Sequence, residues 1–328
     1  IQDFVTNALM LKVGLFQEEK HHNQELGEYL VQLRGGKFGF NTNEMARQLL
    51  EIKDRVYYDQ VDWEKLHQEK INQHPGFDVA HQAINDYLQE LKKRSLYDFA
   101  MLEAEFLDQL KEGKLDDFLE GLKLVLVDEY QDSNLLQEQI YFQLARAAIN
   151  NGGSMTVVGD DDQSLYRFRG ATVDLFTSFQ ERFKQEMPQA PQPRVIYLSQ
   201  NYRSTGNIVQ FCNQFAQLDQ EFQEARVRDK PAIKPERTPP LTEFPILGMF
   251  REDVETLATD LSSFIWQVVC GEGYRVQDYV IKVNPDEGSP TDLSILLSSP
   301  QEQAYTNKKL PYYLREKLKI PIFNPRGQ

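Results

Sequence analysis

Two acidic side chains stand side by side directly after a short apolar run, an arrangement that suits metal-assisted hydrolysis. Asp128 and Glu129 follow the run 124–127. Hydrolysis of a nucleoside triphosphate needs a magnesium ion on the phosphates and a group that activates the attacking water. Asp128 suits the metal and Glu129 suits the general base. In isolation, two carboxylates stabilised at a helix N-terminus are the alternative, but the preceding run and the following Gln131 and Asp132 favour catalysis.

A second polar loop, after another apolar run, combines an amide with aromatic and basic side chains. Gln163 can donate its amide to a phosphate oxygen and so respond to the γ phosphate. Tyr166 and Phe168 can stack on exposed bases, at about 1–3 kcal/mol per base. Arg167 and Arg169 can pair with the phosphates between those bases. The alternative is an aromatic pair in the core, which the flanking arginines disfavour because guanidinium groups are hard to bury.

A third segment, Asn-Tyr-Arg-Ser-Thr at 201–205, follows a predicted strand. Arg203 can reach a γ phosphate in the manner of an arginine finger. Tyr202 can stack on an adenine ring. Taken alone, the segment is equally well explained as a polar turn before a helix. It supports a catalytic role only because it follows the other two segments.

In this order the three segments resemble motifs II, III and IV of the UvrD/Rep-like superfamily 1 DNA helicases. The segment Leu-Tyr-Asp-Phe at 96–99 is similar to a weaker motif that precedes motif II in that family. The roles that the resemblance implies are magnesium binding by Asp128, water activation by Glu129, γ-phosphate contact by Gln163, base stacking by Phe168, adenine stacking by Tyr202 and phosphate contact by Arg203.

The resemblance implies an ATP-dependent DNA helicase or translocase that moves along single-stranded DNA. ATP and Mg²⁺ would be its cofactors, and its partner would be single-stranded DNA or duplex with a single-stranded tail. Protein partners in repair or defence are compatible with it, and a membrane is not. The competing hypothesis is a catalytically inactive, helicase-like scaffold or DNA-binding subunit. Because degenerate copies usually lose Asp128, Glu129, Gln163 or Arg203, their joint presence favours the enzyme.

The sequence departs from the family pattern in two places. Arg167 and Phe168 stand where many relatives have Gly-Trp, which preserves stacking. The phosphate-binding loop Gly-x-x-x-x-Gly-Lys-Ser/Thr is missing, since the nearest candidate, Gly-Gly-Lys-Phe at 35–38, lacks the hydroxyl, the spacing and a preceding strand. Motifs V and VI are missing too. The chain begins at Ile1, so we expect an internal piece of a longer polypeptide that is inactive by itself.

Strands and helices must alternate to position these segments. Apolar runs predict strands at 124–127, 155–158 and 194–198, each followed by a helix, and the first of them is expected to be buried on both faces. This alternation indicates an α/β fold with a parallel sheet. Asp132, Ser133 or Asn134 can cap the helix after the first strand. The other predicted helices are 43–58, 77–91, 96–111, 173–183, 205–215, 252–269 and 301–317.

The family's architecture predicts a RecA-like motor domain with a helical inserted subdomain and the beginning of a second RecA-like domain. Residues 1–94 would form the helical subdomain with a flanking part of the first motor domain. Residues 95–200 would form the first motor domain, and 201–328 the incomplete start of the second. Strands at 293–297 and 320–323 would belong to the second, and the proline-rich segment 226–245 would be an extended connection.

The composition is compatible with a DNA-binding enzyme only if basic charge is concentrated locally. The chain has 328 residues, of which 41% are hydrophobic and 26% charged, and its net charge is −14. A basic cleft can still attract DNA when outer faces are acidic. The basic stretch 226–237 is nevertheless interpreted as a solvated linker. The five histidines have no zinc-like spacing to Cys212 or Cys270, and two cysteines, with no secretory or membrane-spanning run, predict a cytoplasmic protein.

Overall fold

The structure is a computed structural model, and the chain forms two compact units. The first comprises residues 1–197 and 219–230, and the second 198–218 and 231–328. The predicted three-part organisation stays a prediction. The residues that the structure describes are 2–15, 20–34, 42–70, 74–163, 173–218, 226–227, 230–237, 243, 245–283, 293–296, 312–319 and 322.

In the residues described for it, the first unit begins with helices and continues with two strands. A π-helical turn, Leu11–Leu15, follows the first helix, and single 3₁₀ turns at Tyr130–Asp132 and Asp161–Gln163 follow the strands. In chain order, the helices and strands are α1 (Gln2–Met10), α2 (Lys20–Arg34), α3 (Thr42–Tyr58), α4 (Trp63–Lys70), α5 (Pro75–Lys93), α6 (Phe99–Lys111), α7 (Asp116–Leu119), β1 (Leu124–Val127), α8 (Leu135–Asn150), β2 (Ser154–Val157), α9 (Val173–Thr177) and α10 (Phe179–Glu186).

The described part of the first 94 residues is helical, as predicted, because its apolar residues recur at helical spacing. Residues of α5 at intervals of three and four, such as Ala80, Ile84, Tyr87 and Leu91, are buried in one core with residues of α1, α2 and α3. The predicted helices 43–58 and 77–91 are therefore confirmed. The helix predicted from 96 begins three residues later, because Asp98 caps it by accepting a hydrogen bond from the Met101 amide at 3.1 Å.

A buried ion pair joins the helical region to α6. Lys53 on α3 donates to Asp98 at 2.6 Å, and the Tyr87 hydroxyl on α5 donates to the same carboxylate oxygen at 3.2 Å. Lys53 also pairs with Asp54. The Asp98 carboxylate thus joins α3, α5 and α6 around the almost completely buried ammonium of Lys53. We therefore interpret Asp98, which lies in the weak motif at 96–99, as a structural residue.

Strands β1 and β2 are parallel, as predicted, with Leu124 opposite Ser154 and Val127 opposite Val157. The capping residue of α8 is Asn134, whose side chain forms a capping box with Gln137. The expectation that β1 is buried on both faces is wrong. Its residues alternate, since Val125 and Val127 pack in one cluster with Ala148 of α8, whereas Leu124 and Leu126 are exposed. In the described part of the chain, helices cover one face of this strand pair only.

The prediction of a strand at 194–198 is wrong. Residues 191–199 have no regular structure, and the side chains of Val195, Ile196, Tyr197 and Leu198 are exposed. The run has the β-branched and aromatic composition of a strand, but in the described residues it has no neighbouring strand with which to exchange backbone hydrogen bonds. The helix predicted at 173–183 is interrupted at Ser178, which separates α9 from α10.

In its described residues, the second unit contains two strand pairs and two long helices. The predicted helices 205–215 and 252–269 are confirmed, the latter beginning after the cap Asp253. Residues 293–296 are not a strand, and most of 301–317 and 320–323 lies outside the described residues. The antiparallel hairpin was not predicted. The elements are β3 (Gln200–Asn201), α11 (Gly206–Leu218), β4 (Lys234–Pro235), parallel to β3, α12 (Val254–Val269), the hairpin of β5 (Tyr274–Val276) and β6 (Tyr279–Ile281), and a π-helical turn at Tyr313–Lys317.

Cys212 and Cys270 are both free and exposed. Among the described helices, none is both long enough and apolar enough to cross a lipid bilayer.

Candidate functional site

The parallel pairing of β1 and β2 places two predicted segments at the same sheet edge. Asp128 and Glu129 follow β1, and Val158 to Gln163 follow β2. The two ends remain hydrogen-bonded beyond the strands. The Val158 amide donates to the Val127 carbonyl at 2.8 Å, and the Tyr130 amide donates to the Val158 carbonyl at 2.9 Å. Carboxyl ends of parallel strands are where open α/β sheets bind ligands.

Glu129 holds a strained backbone conformation at this edge. Its φ is 50° and its ψ 43°, in the left-handed region that non-glycine residues seldom occupy. Such a residue costs about 1–3 kcal/mol and persists only where its surroundings impose it. The Glu129 amide donates to the Asp128 carboxylate at 3.0 Å. Both side chains are exposed. Two adjacent exposed carboxylates suit a hard cation that keeps several of its waters.

Gln131 connects the two segments. This buried side chain donates its amide to the Glu129 carboxylate at 2.7 Å and accepts the backbone N–H of Asp160 at 3.0 Å. Gly159 makes the approach possible, because a Cβ atom there would lie 2.6 Å from the Gln131 oxygen and 2.7 Å from the ring of Phe176. The carboxylate at the end of β1 is therefore fixed with respect to the backbone that follows β2.

Gln163 is held by the same segment. Its side-chain amide donates to the Asp160 carboxylate at 2.7 Å, and the residue is exposed. A chain of three hydrogen bonds thus runs from Glu129 through Gln131 and Asp160 to Gln163. In this conformation the amide that we predicted to contact a phosphate is satisfied by a carboxylate instead.

Lys230 occupies the centre of the three consecutive aspartates. Its ammonium lies 2.6 Å from Asp160, 2.5 Å from Asp161 and 3.0 Å from Asp162. Burial lowers the pKa of Lys230, but the hydrogen bonds to the three aspartates outweigh it and raise the pKa above its ordinary value. The aspartates therefore hold a charged ammonium at the point where their carboxylates converge.

Arg226 adds a second anchor to the same aspartates. Its guanidinium binds Asp162 through two nitrogens, at 2.6 and 2.8 Å, and the neighbouring Val227 amide donates to Asp161 at 2.6 Å. The interpretation of 226–237 as a solvated linker is thus wrong for Arg226 and Lys230, both of which are partly buried. It fails because charge alone does not reveal that three carboxylates lie within reach.

A buried acidic residue anchors the turn after β1. Glu138 on α8 is fully buried, accepts the Tyr130 hydroxyl at 2.9 Å and forms a bidentate pair with Arg182 of α10. Tyr130 follows Glu129 directly, so this network fixes the backbone that presents the candidate base. Burial, and then the Glu138 carboxylate, raise the pKa of Tyr130, which keeps its hydroxyl protonated as a donor.

Tyr202 and Arg203 belong to the second unit. Asn201 organises their turn by accepting the amides of Arg203 at 3.0 Å and Ser204 at 2.7 Å. The Tyr202 hydroxyl donates to Gln200 at 2.7 Å, and both Tyr202 and Arg203 have exposed side chains. The structure thus places the third segment on an exposed turn at the start of α11, where its aromatic and guanidinium groups are accessible.

The structure describes the positions of some of the predicted site residues and not of others. Tyr166, Arg167, Phe168 and Arg169 lie outside the described residues. Gln131 was used only as context for the acidic pair, and no role was predicted for Gln131 or Asp160, although their position inside the two acidic segments was a usable signal. Lys230 lies 70 residues after Asp160, and no local pattern reveals the contact.

The model of the UvrD/REP helicase N-terminal domain matches residues 8–184, more than half of the chain. The chain belongs to the UvrD/REP helicase family. The resemblance found in the sequence is therefore confirmed, and with it an α/β fold of the RecA-like type, here seen as a small parallel sheet in a mostly helical unit.

Several members of the UvrD/REP family are similar to the chain. One component of the ATP-dependent helicase/nuclease of Carboxydothermus hydrogenoformans is 29% identical over 217 residues, which are 61% of this chain and 17% of that protein. The ATP-dependent DNA helicase PcrA of Bacillus subtilis is 36% identical over 132 residues, 39% of this chain and 16% of PcrA. The ATP-dependent DNA helicase UvrD1 of Mycobacterium bovis is 45% identical over 92 residues, 27% of this chain and 11% of UvrD1. The chain therefore matches less than a fifth of each of these relatives.

Proposed function

We propose that this chain supplies part of the ATPase motor of a DNA helicase that couples ATP hydrolysis to movement along single-stranded DNA. The observation that carries the proposal is the chain of hydrogen bonds from Glu129 through Gln131 and Asp160 to Gln163. It joins a candidate base to a candidate phosphate sensor at one sheet edge. The names of the similar proteins, which include ATP-dependent DNA helicases, support the choice of ATP and DNA as ligands.

In this proposal Glu129 accepts a proton from the attacking water. Its exposed carboxylate is held by the Gln131 amide, which leaves its other oxygen to receive the proton. Asp128 would hold Mg²⁺ through its exposed carboxylate, and the ion supplies charge neutralisation at the β and γ phosphates. Gln163 would exchange its bond with Asp160 for a bond with a phosphate oxygen. The presence or absence of the γ phosphate would then alter the position of the segment that follows Gln163 in the sequence.

The remaining predicted roles belong to the same proposal. Arg203 would contact the γ phosphate and Tyr202 would stack on the adenine, which their exposed positions permit. Phe168 and Tyr166 would stack on bases of single-stranded DNA, or of a duplex with a single-stranded tail. Arg167 and Arg169 would bind the intervening phosphates. The predicted organisation is a helical accessory subdomain at 1–94, a first motor domain at 95–200 and the beginning of a second at 201–328.

Substitution of Glu129 by glutamine tests the proposal in the full-length natural protein. Glutamine keeps the size and the hydrogen bond to Gln131 but cannot take a proton. DNA-stimulated ATP hydrolysis should fall by about 10²–10⁴-fold, the usual contribution of a general base, while ATP binding changes little. Steady-state hydrolysis and fluorescent-nucleotide binding measure the two quantities.

Glu120→Gln is the matched control, because Glu120 is exposed and follows α7, outside the site. It should hydrolyse ATP as the wild type does. If Glu129→Gln retains wild-type turnover, the assignment of the base is rejected. If the wild-type protein itself neither binds nor hydrolyses ATP, a scaffold function replaces the enzyme.

A further inference from the structure

Two ion pairs join α8 to α10, and they differ in their surroundings. Glu138 of α8 pairs with Arg182 of α10, and Arg146 of α8 pairs with Glu186 of α10 at 3.3 Å. The side chains of Arg146 and Glu186 are 43% and 36% exposed, whereas Glu138 is fully buried. An exposed pair can orient two helices without the cost of taking a carboxylate out of water. The packing of α8 on α10 therefore does not by itself explain a buried carboxylate at Glu138.

The Glu138 carboxylate holds the Tyr130 hydroxyl. That hydroxyl donates to Glu138 Oε1 at 2.9 Å, and Arg182 Nε donates to Oε1 and Oε2 at 2.9 and 2.8 Å. Of the cations in the described ranges, only Arg182 lies within ion-pairing distance of Glu138. The guanidinium on α10 thus fixes both carboxylate oxygens and with them the position of the acceptor for Tyr130.

The helices α9 and α10 also surround the Tyr130 ring. The ring of Phe179, at the start of α10, lies edge-on to it at 5.2 Å, and the ring of Phe176 on α9 lies 6.4 Å from it. The same Phe176 ring leaves no room for a side chain at Gly159, where a Cβ atom would lie 2.7 Å away. These two helices therefore contact residues that follow both β1 and β2.

Tyr130 is in a position to impose the left-handed conformation of Glu129. Its ring is completely buried, and its amide donates to the Val158 carbonyl at 2.9 Å. Rotation of Glu129 to an ordinary φ would pull the Tyr130 ring away from its aromatic neighbours and its hydroxyl away from Glu138. Strained conformations persist where their surroundings impose them in this way. The Tyr130 hydroxyl is thus the contact through which Glu138 and Arg182 act on Glu129.

We propose that Tyr130, Glu138 and Arg182 form a positioning network that holds Glu129 in the conformation that hydrolysis requires. This role rests on the proposed function, in which Glu129 is the general base. None of the three side chains needs to touch the nucleotide, because the network acts through the backbone of Glu129. The competing explanation is that the network only stabilises the fold. In that case its loss would lower stability and leave the chemical step unchanged.

Tyr130→Phe in the full-length natural protein separates these explanations, because it removes one hydroxyl and keeps the buried ring. Glu138 remains paired with Arg182, so no buried charge is left without its partner. With saturating oligo(dT), kcat for ATP hydrolysis should fall by about tenfold, the effect of a slightly misplaced base, while KM for ATP stays the same. Steady-state kinetics measure both constants, and fluorescent-nucleotide binding checks that ATP affinity is unchanged.

Tyr87→Phe is the matched control. The Tyr87 hydroxyl is also buried and also donates to a buried carboxylate, that of Asp98, which is paired with the cation Lys53. Tyr87 belongs to a different core cluster from Tyr130. Because both substitutions remove the same kind of hydrogen bond, both should lower the melting temperature by a similar amount. Only Tyr130→Phe should lower kcat.

A second pair of variants tests Arg182 without leaving Glu138 unpaired. Arg182→Lys keeps the charge but loses the fork that binds both carboxylate oxygens. It should lower kcat with unchanged KM. The double variant Tyr130→Phe/Arg182→Lys should be no slower than the slower single variant, because the two residues act through one contact. Arg146→Lys makes the same substitution in the exposed pair between the same helices and should leave both constants unchanged.

Failure of this network is distinguishable from failure of the proposed function. Wild-type kcat in Tyr130→Phe and Arg182→Lys, in a protein whose hydrolysis is abolished by Glu129→Gln, would overturn the positioning role and leave Glu129 as the base. An equal fall of kcat in Tyr87→Phe or Arg146→Lys would show a general effect of stability and would overturn it too. A wild-type protein that does not hydrolyse ATP would reject both proposals.

Discussion

Lys230 and Gln163 bind opposite oxygens of the same carboxylate. The Lys230 ammonium lies 2.6 Å from one oxygen of Asp160, and the Gln163 amide donates to the other at 2.7 Å. By neutralising Asp160, Lys230 weakens its hold on the amide. Without the ammonium, three neighbouring carboxylates would be left without this shared cation and Asp160 would retain Gln163 more strongly. We therefore expect the release of Gln163 toward a phosphate to depend on Lys230, which lies 70 residues after Asp160.

Lys230→Met tests this dependence in the full-length natural protein. Methionine keeps much of the apolar stem and removes the charge. We expect DNA-stimulated ATP turnover to fall by about tenfold, the effect of roughly 1.4 kcal/mol on the barrier. Lys234→Met is the control, because Lys234 is exposed in β4 and only its backbone joins the strand pair. Equal turnover in both variants would show that Lys230 serves packing alone.

The same ion cluster predicts how stability depends on pH. Burial raises the pKa of Asp160, but hydrogen bonds from Lys230 and then Gln163 outweigh burial and lower it below the ordinary value. A carboxyl group with a lowered pKa contributes stability above its unfolded pKa, about 3.9, and loses it as the pH falls through the folded value. The pKa of Lys230 is raised, so its contribution to stability is fully present below its unfolded pKa, about 10.4, and is lost as the pH rises through the higher folded pKa.

Urea denaturation of the wild type and of Lys230→Met across the pH range measures this contribution. The difference in unfolding free energy between the two proteins should be constant from about pH 5 to 9 and should shrink below about pH 4, as Asp160 is protonated. A difference that remains the same at pH 3 would show that the ion pair does not set the stability of this segment.

The spacing of residues along the sequence was sufficient to predict much of the fold. Features that depend on contacts between distant parts of the sequence could not be predicted. The apolar run 124–127 and the acidic pair after it were sufficient to place Asp128 and Glu129 at a strand end. The run 194–198 has similar composition but forms no strand, because strand formation needs a partner that composition does not reveal. The role of Lys230 could not be predicted either, because it depends on carboxylates that lie far away in the sequence.

Gln131 should matter for catalysis although it touches neither the water nor the phosphate in our proposal. Its side chain positions Glu129 and the backbone of Asp160 at once. In Gln131→Met the volume is kept and both hydrogen bonds are lost. We expect kcat to fall by about tenfold with little change in KM for ATP, because positioning of the base acts mainly on the chemical step.

Gln82→Met provides the comparison for Gln131→Met. Gln82 is exposed on α5 and bonds only to Asp86 among the contacts described for it, so its loss should leave both kinetic constants unchanged. A rise in KM without a fall in kcat for Gln131→Met would assign Gln131 to nucleotide binding instead.

Asp98 should be required for stability rather than for chemistry. It neutralises the buried Lys53, accepts the Tyr87 hydroxyl and caps α6. In Asp98→Ala the lysine keeps only the half-exposed Asp54 as a carboxylate partner. Breaking a buried pair costs about 3–5 kcal/mol. Chemical denaturation should show a loss of this size. Asp62→Ala, which removes only the cap contact to the Lys65 amide, should cost about 1 kcal/mol. Similar losses in the two variants would mean that the ion pair adds nothing.

Phe168 should bind single-stranded DNA by stacking. It lies outside the described residues, so this role rests on the sequence and on the family to which the chain belongs. Phe168→Ala should weaken the affinity for oligo(dT) by roughly 5- to 150-fold, which corresponds to about 1–3 kcal/mol of stacking, and should leave ATP affinity unchanged. Fluorescence anisotropy at fixed salt measures the affinity, because phosphate contacts vary with ionic strength. Phe118→Ala is the control, since Phe118 is exposed on α7 and has no predicted role in DNA binding. If both variants bind oligo(dT) as tightly as the wild type, Phe168 does not stack on a base, and the DNA contact must be sought among Tyr166, Arg167 and Arg169.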